Sequence, residues 1–420
     1  MSRLSLLARS TMAAALLAVP AVASAQDPQP PQAAPGPLTV DGSFWTRFEL
    51  RDNYAGAGVS QGRFQEGDAT FYRARLGLWT TPTKFRGDQQ VQARFVLQAA
   101  GVQGVQPGTI NDPAVGAHEA FLRWQGAMHR LDVGRFEMVY GDHAIIGNLG
   151  WHQMARSFDG ARVRLAKDPK GAWVDVFATL ARPDAVPGEK HPLHDELLEG
   201  DDWFTGIYSD IGPLLAQDLT LELYGLFQVQ VGSDDDTGGE DRDGAVLATV
   251  GTRVVKSFGK TRVRFEGTGQ FGKDLAQNDA KAYQADLEVK QTLSDALWVA
   301  VGGVYASGDD PTTEENEGFN HLYSTAHKFL GLMDVIGTRT NVTSGNLQAA
   351  FKVQPTTTLK LDAHLFLRNE VPDDVDSYAG TELNLQVIQG IGGGLGVRGL
   401  YGLFLPGKDL YPTEAPLHYV

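Results

Sequence analysis

Apolar and polar side chains alternate with a period of two along most of the chain from Ser43 onward. In the first such segment, Phe44 and Phe48 share one face, and Arg47 and Glu49 share the other. This period is typical of a β-strand whose two faces meet different surroundings. We therefore predict a chain built almost entirely of strands, each with one apolar and one polar face.

The links between these segments alternate between short and long. The short links are Thr81–Asp88, Gly126–Ala127, Lys167–Gly171, Ser257–Lys260, Leu293–Ala296, Gln354–Thr358 and Gln389–Gly394. The long links are 52–68, 100–116, 138–157, 181–202, 232–244, 307–342, 369–378 and 405–416. Such sorting is typical of outer-membrane barrels, which have tight periplasmic turns and long outer loops, whereas a soluble sandwich buries its apolar faces in pairs.

The predicted fold class is therefore all-β, a transmembrane antiparallel β-barrel. Seventeen complete strands are expected, ending near Leu405. Because bacterial barrels close with an even number of strands, about eighteen are needed. We expect the residues Leu417–Val420 to be the start of a closing strand that is cut short; a barrel of about seventeen strands is the alternative.

The first residues have the features of an export signal. Arg3 and Arg9 give a positive region, Ala13 to Val22 an apolar region, and Ala23-Ser24-Ala25 a cleavage site of small residues. We predict a signal peptide at 1–25, cleaved near Ala25, a proline-rich lead-in at 26–39, and a barrel domain at 40–420 in the outer membrane. The apolar region is too short for a membrane-spanning helix.

Charge is segregated along the chain. The formal net charge of −15 argues against nucleic acid as a partner, and the absence of cysteine excludes disulfides. Acidic residues concentrate in the long links, at Asp234–Asp236, Glu240–Asp241, Asp195–Asp202 and Asp309–Glu317. Solvated loops are the simplest interpretation; Ca²⁺ binding there is the alternative, and no other cofactor is expected.

Basic residues instead lie on the polar face of the strands, which a membrane barrel turns inward. They include Arg47, Arg73, Arg75 and Arg94, with Arg162 and Arg164 on one later strand. A ring of arginines in a confined pore concentrates anions and excludes cations. Few acidic residues stand at matching positions beside Arg73, Arg75, Arg162 and Arg164, which favours an anion path. The alternative is a neutralised lumen held open by cross-strand Arg–Glu pairs.

Catalysis has little support in this sequence. His191 and His194 lie near acidic residues, but Pro192 argues against the helix that metalloenzyme spacing requires. No GxSxG element is present, although a Ser-His-Asp site built across the fold stays open as an alternative. We predict that the protein is not an enzyme.

Two long motifs carry a family resemblance. The stretch Gly134–Arg164 contains YGD, then IGN, then a tryptophan and the run RSFDGAR. The stretch Gly318–Asp334 contains GFNHLY, then TAHKFLG, then Met-Asp. In this order they resemble the alginate-export family of outer-membrane barrels, and the resemblance extends from Val40 to Val420.

The resemblance implies an eighteen-stranded barrel with an arginine-rich conduit for passive passage of an anionic polysaccharide. It assigns a cluster of loop and pore residues, namely Arg135, Tyr140, Asp142, Arg156, Asp159 and Arg162. The connection 138–157 has apolar residues unusual for a solvated loop, so we expect it to fold inward against Arg156 and Asp159.

One departure from the family concerns the link Gln389–Gly394, where the exporters carry a long periplasmic gate. A general porin for small anions or short oligosaccharides is therefore the alternative, as is a structural or adhesive barrel that acts through its outer loops. The expected partners are the outer-membrane bilayer and anionic solutes.

Overall fold

The computed structural model describes residues 37–54, 67–103, 114–166, 171–180, 201–231, 244–274, 276–411 and 414–420. Its strands are β1 (Leu38–Asp52), β2 (Gly67–Thr80), β3 (Thr83–Arg86), β4 (Gln89–Gln103), β5 (Ala114–Gln125), β6 (His129–Phe136), β7 (Phe158–Ala166), β8 (Trp173–Leu180), β9 (Asp201–Asp210), β10 (Leu219–Val231), β11 (Val246–Phe258), β12 (Thr261–Lys273), β13 (Asp279–Thr292), β14 (Leu297–Ala306), β15 (Val342–Gln354), β16 (Thr357–Leu367), β17 (Tyr378–Gly392), β18 (Leu395–Pro406) and β19 (Leu417–Tyr419). A short helix, α1 (Gly212–Leu215), and a 3₁₀ turn (Ala326–Lys328) complete the elements of these ranges.

Each strand pairs with its neighbours in chain order, always antiparallel, and the sheet closes into a barrel. The short strand β3 continues β2 against the same partner, β4, after a shift of one residue in the pairing. The shift falls at Pro82, which has no N–H to donate to the ladder. The ring therefore has eighteen positions, as the sequence predicted.

The short strand β19 joins the two ends of the sheet. Its Tyr419 pairs with Arg51 of β1 on one side and with Gly402 of β18 on the other. Leu50 and Val420 extend the contact, since each donates its backbone N–H to the other's carbonyl at 3.0 Å. The closing strand of the ring is thus three residues long.

Alternation along the strands decides which side chains face outward. Outward positions are apolar and exposed, as at Phe44, Leu76, Leu122 and Leu361, which are 58%, 51%, 59% and 57% exposed. Inward positions are polar and buried, as at Arg73. An apolar outer surface on a closed sheet is the arrangement that a lipid bilayer requires.

The two ends of the barrel differ. Tight turns join the strands at one end, called the short-turn end, as at Gly393 and Gly394 between β17 and β18. Both glycines have positive φ, 61° and 83°, which side chains other than glycine rarely adopt. The link between β17 and β18 therefore consists of these two residues. No helix in the described ranges is long and apolar enough to span a membrane.

Long connections join the strands at the opposite end. Two of them, 137–157 after β6 and 307–341 after β14, contribute residues to the main buried cluster inside the barrel. Ile145 and Ile146 of the first are 2% and 0% exposed, and Phe319 of the second is fully buried. The expectation that the first connection folds inward agrees with this burial.

Candidate functional site: the inner connections and the charged lumen

The inner wall carries arginines joined to carboxylates from neighbouring strands. On β6, Asp132 accepts hydrogen bonds from Arg123 of β5 at 2.6 and 3.1 Å and from Arg162 of β7 at 3.0 Å. Asp132 is fully buried. On β8, Asp175 accepts hydrogen bonds from Nε and Nη2 of Arg164, at 2.6 and 2.7 Å. Planar two-point pairing of this kind suits arginine and carboxylate geometry.

These pairs overturn one expectation. Arg75, Arg162 and Arg164 do have acidic partners, and the acid of Arg75 is Glu137 of the first inner connection at 3.0 Å. Asp132 and Asp175 lie directly opposite their arginines on neighbouring strands, and Glu137 lies in a connection. The alternation along a single strand defines neither relationship. Arg94 is also paired, with Asp41 and with Glu119 at 3.3 Å. Much of the wall is therefore neutralised.

Arg135 and Asp159 are not in the lumen, and the expectation that placed them there is wrong. They lie directly opposite each other on β6 and β7 and form a two-point ion pair at 2.8 and 2.7 Å. Their side chains are 45% and 42% exposed. Both share the face of Val133, which is outward, while Asp132 and Arg162 face inward.

The two inner connections are joined to each other. Ile146 and Tyr323 form a parallel bridge. The N–H of Gly147 donates to the carbonyl of Tyr323 at 2.9 Å, and the N–H of Tyr323 donates to the carbonyl of Ile145 at 3.1 Å. Thr325 adds a third bond, to the carbonyl of His143 at 2.9 Å. The two motifs of the sequence thus form one structural unit inside the barrel.

Arg156 lies at the joint between the connections. Its guanidinium donates to the carbonyl of Gly147 at 3.1 Å and to the carbonyl of Tyr323, and it lies 5.3 Å from the centre of the Tyr323 ring. Burial lowers the pKa of Arg156 to about 10, so the group remains charged near neutral pH. Its charge is bound by backbone carbonyls and not by a carboxylate in these contacts.

Tyr140 and Asp142 connect the first inner connection to the wall. The Tyr140 ring stacks on Tyr208 of β9 with centroids 4.3 Å apart, and its hydroxyl donates to Asp175 at 2.8 Å. Asp142 accepts from Arg253 at 2.8 Å. Burial opposes ionisation of Asp142, but the nearby Arg253 prevails and lowers its pKa to about 2. Both residues therefore hold the connection in place.

Trp151 is the centre of a basic cluster beside these joints. The guanidinium of Arg47 lies 4.2 Å from the indole centroid and that of Arg398 lies 5.7 Å from it, while the His327 ring stacks on the indole at 4.2 Å. Close by, Arg73 donates to the carbonyl oxygens of the same connection at 3.2 and 3.3 Å. The two-residue period of the strands predicted that Arg47 and Arg73 face the lumen. Nothing in the sequence singled out Arg398 or His327 as their neighbours.

Positive charge exceeds negative charge around Trp151. Glu49 is shared between Arg47, at 2.5 Å, and Arg51, at 2.9 Å, and Asp334 pairs with His327 at 2.9 Å. These two carboxylates face four arginines, since Arg73 and Arg398 lie there as well. The hydrogen bonds of Arg73 go to backbone carbonyls, so its charge is not neutralised by a directly bonded carboxylate. In a confined lumen, such an excess attracts anions.

The second inner connection is bound to the wall by a buried carboxylate. Glu382 of β17, which is fully buried, accepts the backbone N–H groups of Leu332 at 2.5 Å and Met333 at 3.1 Å. Arg339 adds an ion pair to Asp286 of β13 at 2.8 Å. Within the described ranges, no group of three or more His, Asp or Glu side chains has the arrangement of a metal site. Most of the acidic clusters proposed for Ca²⁺, and His191 and His194, lie outside those ranges.

Comparison with known proteins gives the family. The model of the family described as "Alginate export" matches residues 38–394. The chain belongs to the alginate export family. The resemblance seen in the two motifs is thereby confirmed. No curated protein matches the chain.

Solved outer-membrane proteins of Pseudomonas aeruginosa share the fold. OccK9 (OpdG) has a TM-score of 0.63 at 12% identity, covering 91% of this chain and 96% of that protein. OccK2 (OpdF), solved with glucuronate, has a TM-score of 0.60 at 12% identity, covering 91% and 94%. OpdK, solved with vanillate, has a TM-score of 0.60 at 11% identity, covering 91% and 95%. Family and fold are those of outer-membrane transport channels.

Proposed function

We propose that this barrel is a passive outer-membrane channel for anionic saccharides, with uronate-bearing chains or short oligosaccharides as its solutes. The observation that carries the proposal is the excess of arginine around Trp151, where Arg47, Arg73 and Arg398 meet the inner connections. Arginine suits this task because its fork binds a carboxylate in two-point fashion and keeps its charge at any physiological pH.

The comparisons support the same solute class. The family is named for export of alginate, a polyuronate, and two neighbours in fold were solved with glucuronate and with vanillate. All three solutes carry a carboxylate. A tight turn at Gly393 and Gly394 stands where the exporters of the family carry a long gate, which favours passage of short anions as well as polymers.

The test is the reversal potential of single channels in a planar bilayer under a salt gradient. The wild-type pore is expected to be anion-selective at about 0.1 M salt and to approach neutrality at about 1 M, where the Debye length falls to roughly 3 Å. A cation-selective wild-type pore contradicts the proposal.

The decisive variant is Arg73→Gln with Arg398→Gln. Neither arginine has a carboxylate among its hydrogen-bond partners in the described structure, so their removal takes away charge without leaving a bonded acid behind. We expect the permeability ratio to move toward unity. The matched control is Lys256→Gln with Lys281→Gln, which removes two charges from outward positions and should leave selectivity unchanged.

A further inference from the structure

A second basic cluster lies on the inner wall near the short-turn end, away from the inner connections. Lys290 of β13 lies directly opposite Arg262 of β12 in the pairing. Lys290 also pairs with Ala300 of β14. Trp298 precedes Ala300 by two residues and so lies closer to the turn that joins β13 and β14. Trp298 pairs with Ala350 of β15, and Ala350 pairs with Lys360 of β16. We call Arg262, Lys290, Trp298 and Lys360 the Trp298 cluster.

The ring of Trp298 brings two ammonium groups together. The Nζ of Lys290 lies 3.9 Å from the indole centroid, and the Nζ of Lys360 lies 5.8 Å from it. The aromatic face attracts cations, which offsets part of their mutual repulsion. The two lysines come from strands that are not adjacent, so the indole between them determines their approach.

The Trp298 cluster carries more positive than negative charge. Like charges directly opposite on neighbouring strands destabilise a sheet, and Arg262 and Lys290 stand in that relation. The acid nearest to Arg262 is Glu288, at 3.5 Å, a long contact between side chains that are 38% and 22% exposed. Glu288 also interacts with the charge of Lys290, and Asp362, which accepts the amide of Gln386 at 3.0 Å, interacts with the charge of Lys360. Three cations thus face two carboxylates in this part of the described wall.

The cluster is open to the lumen and stands close to the short-turn end. Lys290 lies two residues before the end of β13, and Lys360 lies three residues after the start of β16. The Arg262 side chain is 38% exposed. A solute entering from that end meets this cluster before it reaches Arg47 and Trp151.

We propose that Lys290 and Lys360, held over Trp298, form a separate carboxylate-binding site at the short-turn end of the channel. The ligand class is a sugar acid, whose carboxylate is taken between the two ammonium groups and Arg262. The site deepens the proposed function, on which it rests: anions that enter from the short-turn end bind there before they reach Arg47 and Arg73.

The experiment measures block of single-channel current by glucuronate, added to one side and then to the other, with glucose as the neutral control. In the wild type we expect voltage-dependent block by glucuronate and none by glucose. The electrical distance, which is the fraction of the membrane voltage that glucuronate crosses to reach its site, should be smaller when glucuronate is added on the short-turn side. The variant Lys290→Gln with Lys360→Gln should weaken this block about tenfold, and Lys290→Arg with Lys360→Arg should restore it.

Controls separate the site from the channel. Lys84→Gln with Lys256→Gln removes two lysines near the same end but outside the cluster, and should leave the block unchanged. Heat-modifiable migration on gels checks that each variant is folded. If block persists undiminished in the Gln variant of a folded channel, the site is overturned while the proposed function stands. If the wild type is neither blocked nor anion-selective, both proposals are wrong.

Discussion

Arg47 binds Trp151 twice: it donates to the backbone carbonyl of Trp151 at 2.6 Å, and its guanidinium lies 4.2 Å from the centre of the same indole. A strand of the wall thereby holds the first inner connection by both its backbone and its side chain.

Removal of residues 144–153 should raise single-channel conductance, because these residues include the buried Ile145 and Ile146 and carry Trp151 into the lumen. The matched control removes 311–315, an exposed tip of the second inner connection, and should leave conductance unchanged. Equal conductance in the 144–153 variant and the wild type would place this connection away from the conducting path.

Arg156→Gln should loosen both inner connections at once. Gln lacks the charged fork that bonds the carbonyls of Gly147 and Tyr323, and the loss of such bonds costs about 1–3 kcal/mol. Hydrogen exchange should rise at residues 143–149 and at residues 321–327. Faster exchange in one connection alone would contradict coupling through Arg156. Arg135→Gln, on the outer surface, serves as the control.

Asp132→Asn and Asp159→Asn should differ sharply in stability. Asp132 is fully buried between Arg123 and Arg162, so its neutralisation removes the carboxylate that these two buried cations share, at a cost of about 3–5 kcal/mol. Asp159 pairs with Arg135 on the outer face, one residue from the long-connection ends of β7 and β6, where a pair exposed to water contributes about 0–1 kcal/mol. Denaturant unfolding in detergent measures both changes, and comparable losses would refute the outward placement of the Arg135–Asp159 pair.

The inner connections should loosen as the pH falls from about 6.5 to about 4. Burial, followed by the charge of Arg47, lowers the pKa of His152 to about 4, and burial likewise lowers the pKa values of His143 and His321 to about 4. A histidine whose pKa is lowered in the docked state takes up its proton more readily when undocked. The docked state is therefore favoured above pH 6.5 and loses that advantage toward pH 4.

A contact of His152 gives this pH dependence a structural cause. The Nδ1 of His152 accepts the backbone N–H of Met154 at 3.2 Å, which a protonated ring cannot do. Asp142 and Glu137, with pKa values of about 2, stay ionised in this window. Current fluctuations at pH 7 and pH 4.5 measure the effect. His152→Gln, which keeps an acceptor, should reduce the difference, and His129→Gln should not; a pH-independent wild type would be contrary evidence.

The wall could be predicted from the sequence because a strand has only two faces. Once Phe44 and Leu76 are placed against lipid, Arg47 and Arg75 have to face inward. The same rule places Arg135 outward with Val133. The family motif predicted a lumen position for Arg135 instead, which the alternation contradicts. An apolar pair such as Ile145 and Ile146 in a long link likewise predicted burial.

The ionic partners could not be predicted in this way. Pairing of Arg164 with Asp175 depends on the register between β7 and β8, which alternation does not define. Pairing of Arg75 with Glu137 depends on the path of a connection through the lumen. The Trp298 cluster likewise depends on strand register, since Lys290 and Lys360 belong to strands separated by two others in the chain.

The stack of Tyr140 on Tyr208 has an optical consequence. Tyr208 also stacks on Tyr224 at 5.1 Å, and Trp173 lies 6.1 Å from both Tyr140 and Tyr208. Rings held this closely in fixed orientation couple their electronic transitions, which contributes to circular dichroism in the near ultraviolet. Three of the four rings belong to the wall and Tyr140 alone belongs to the inner connection. Undocking of that connection should therefore change the near-ultraviolet spectrum while the far-ultraviolet signal of the strands persists, so the protein carries its own spectroscopic reporter of the state of its channel.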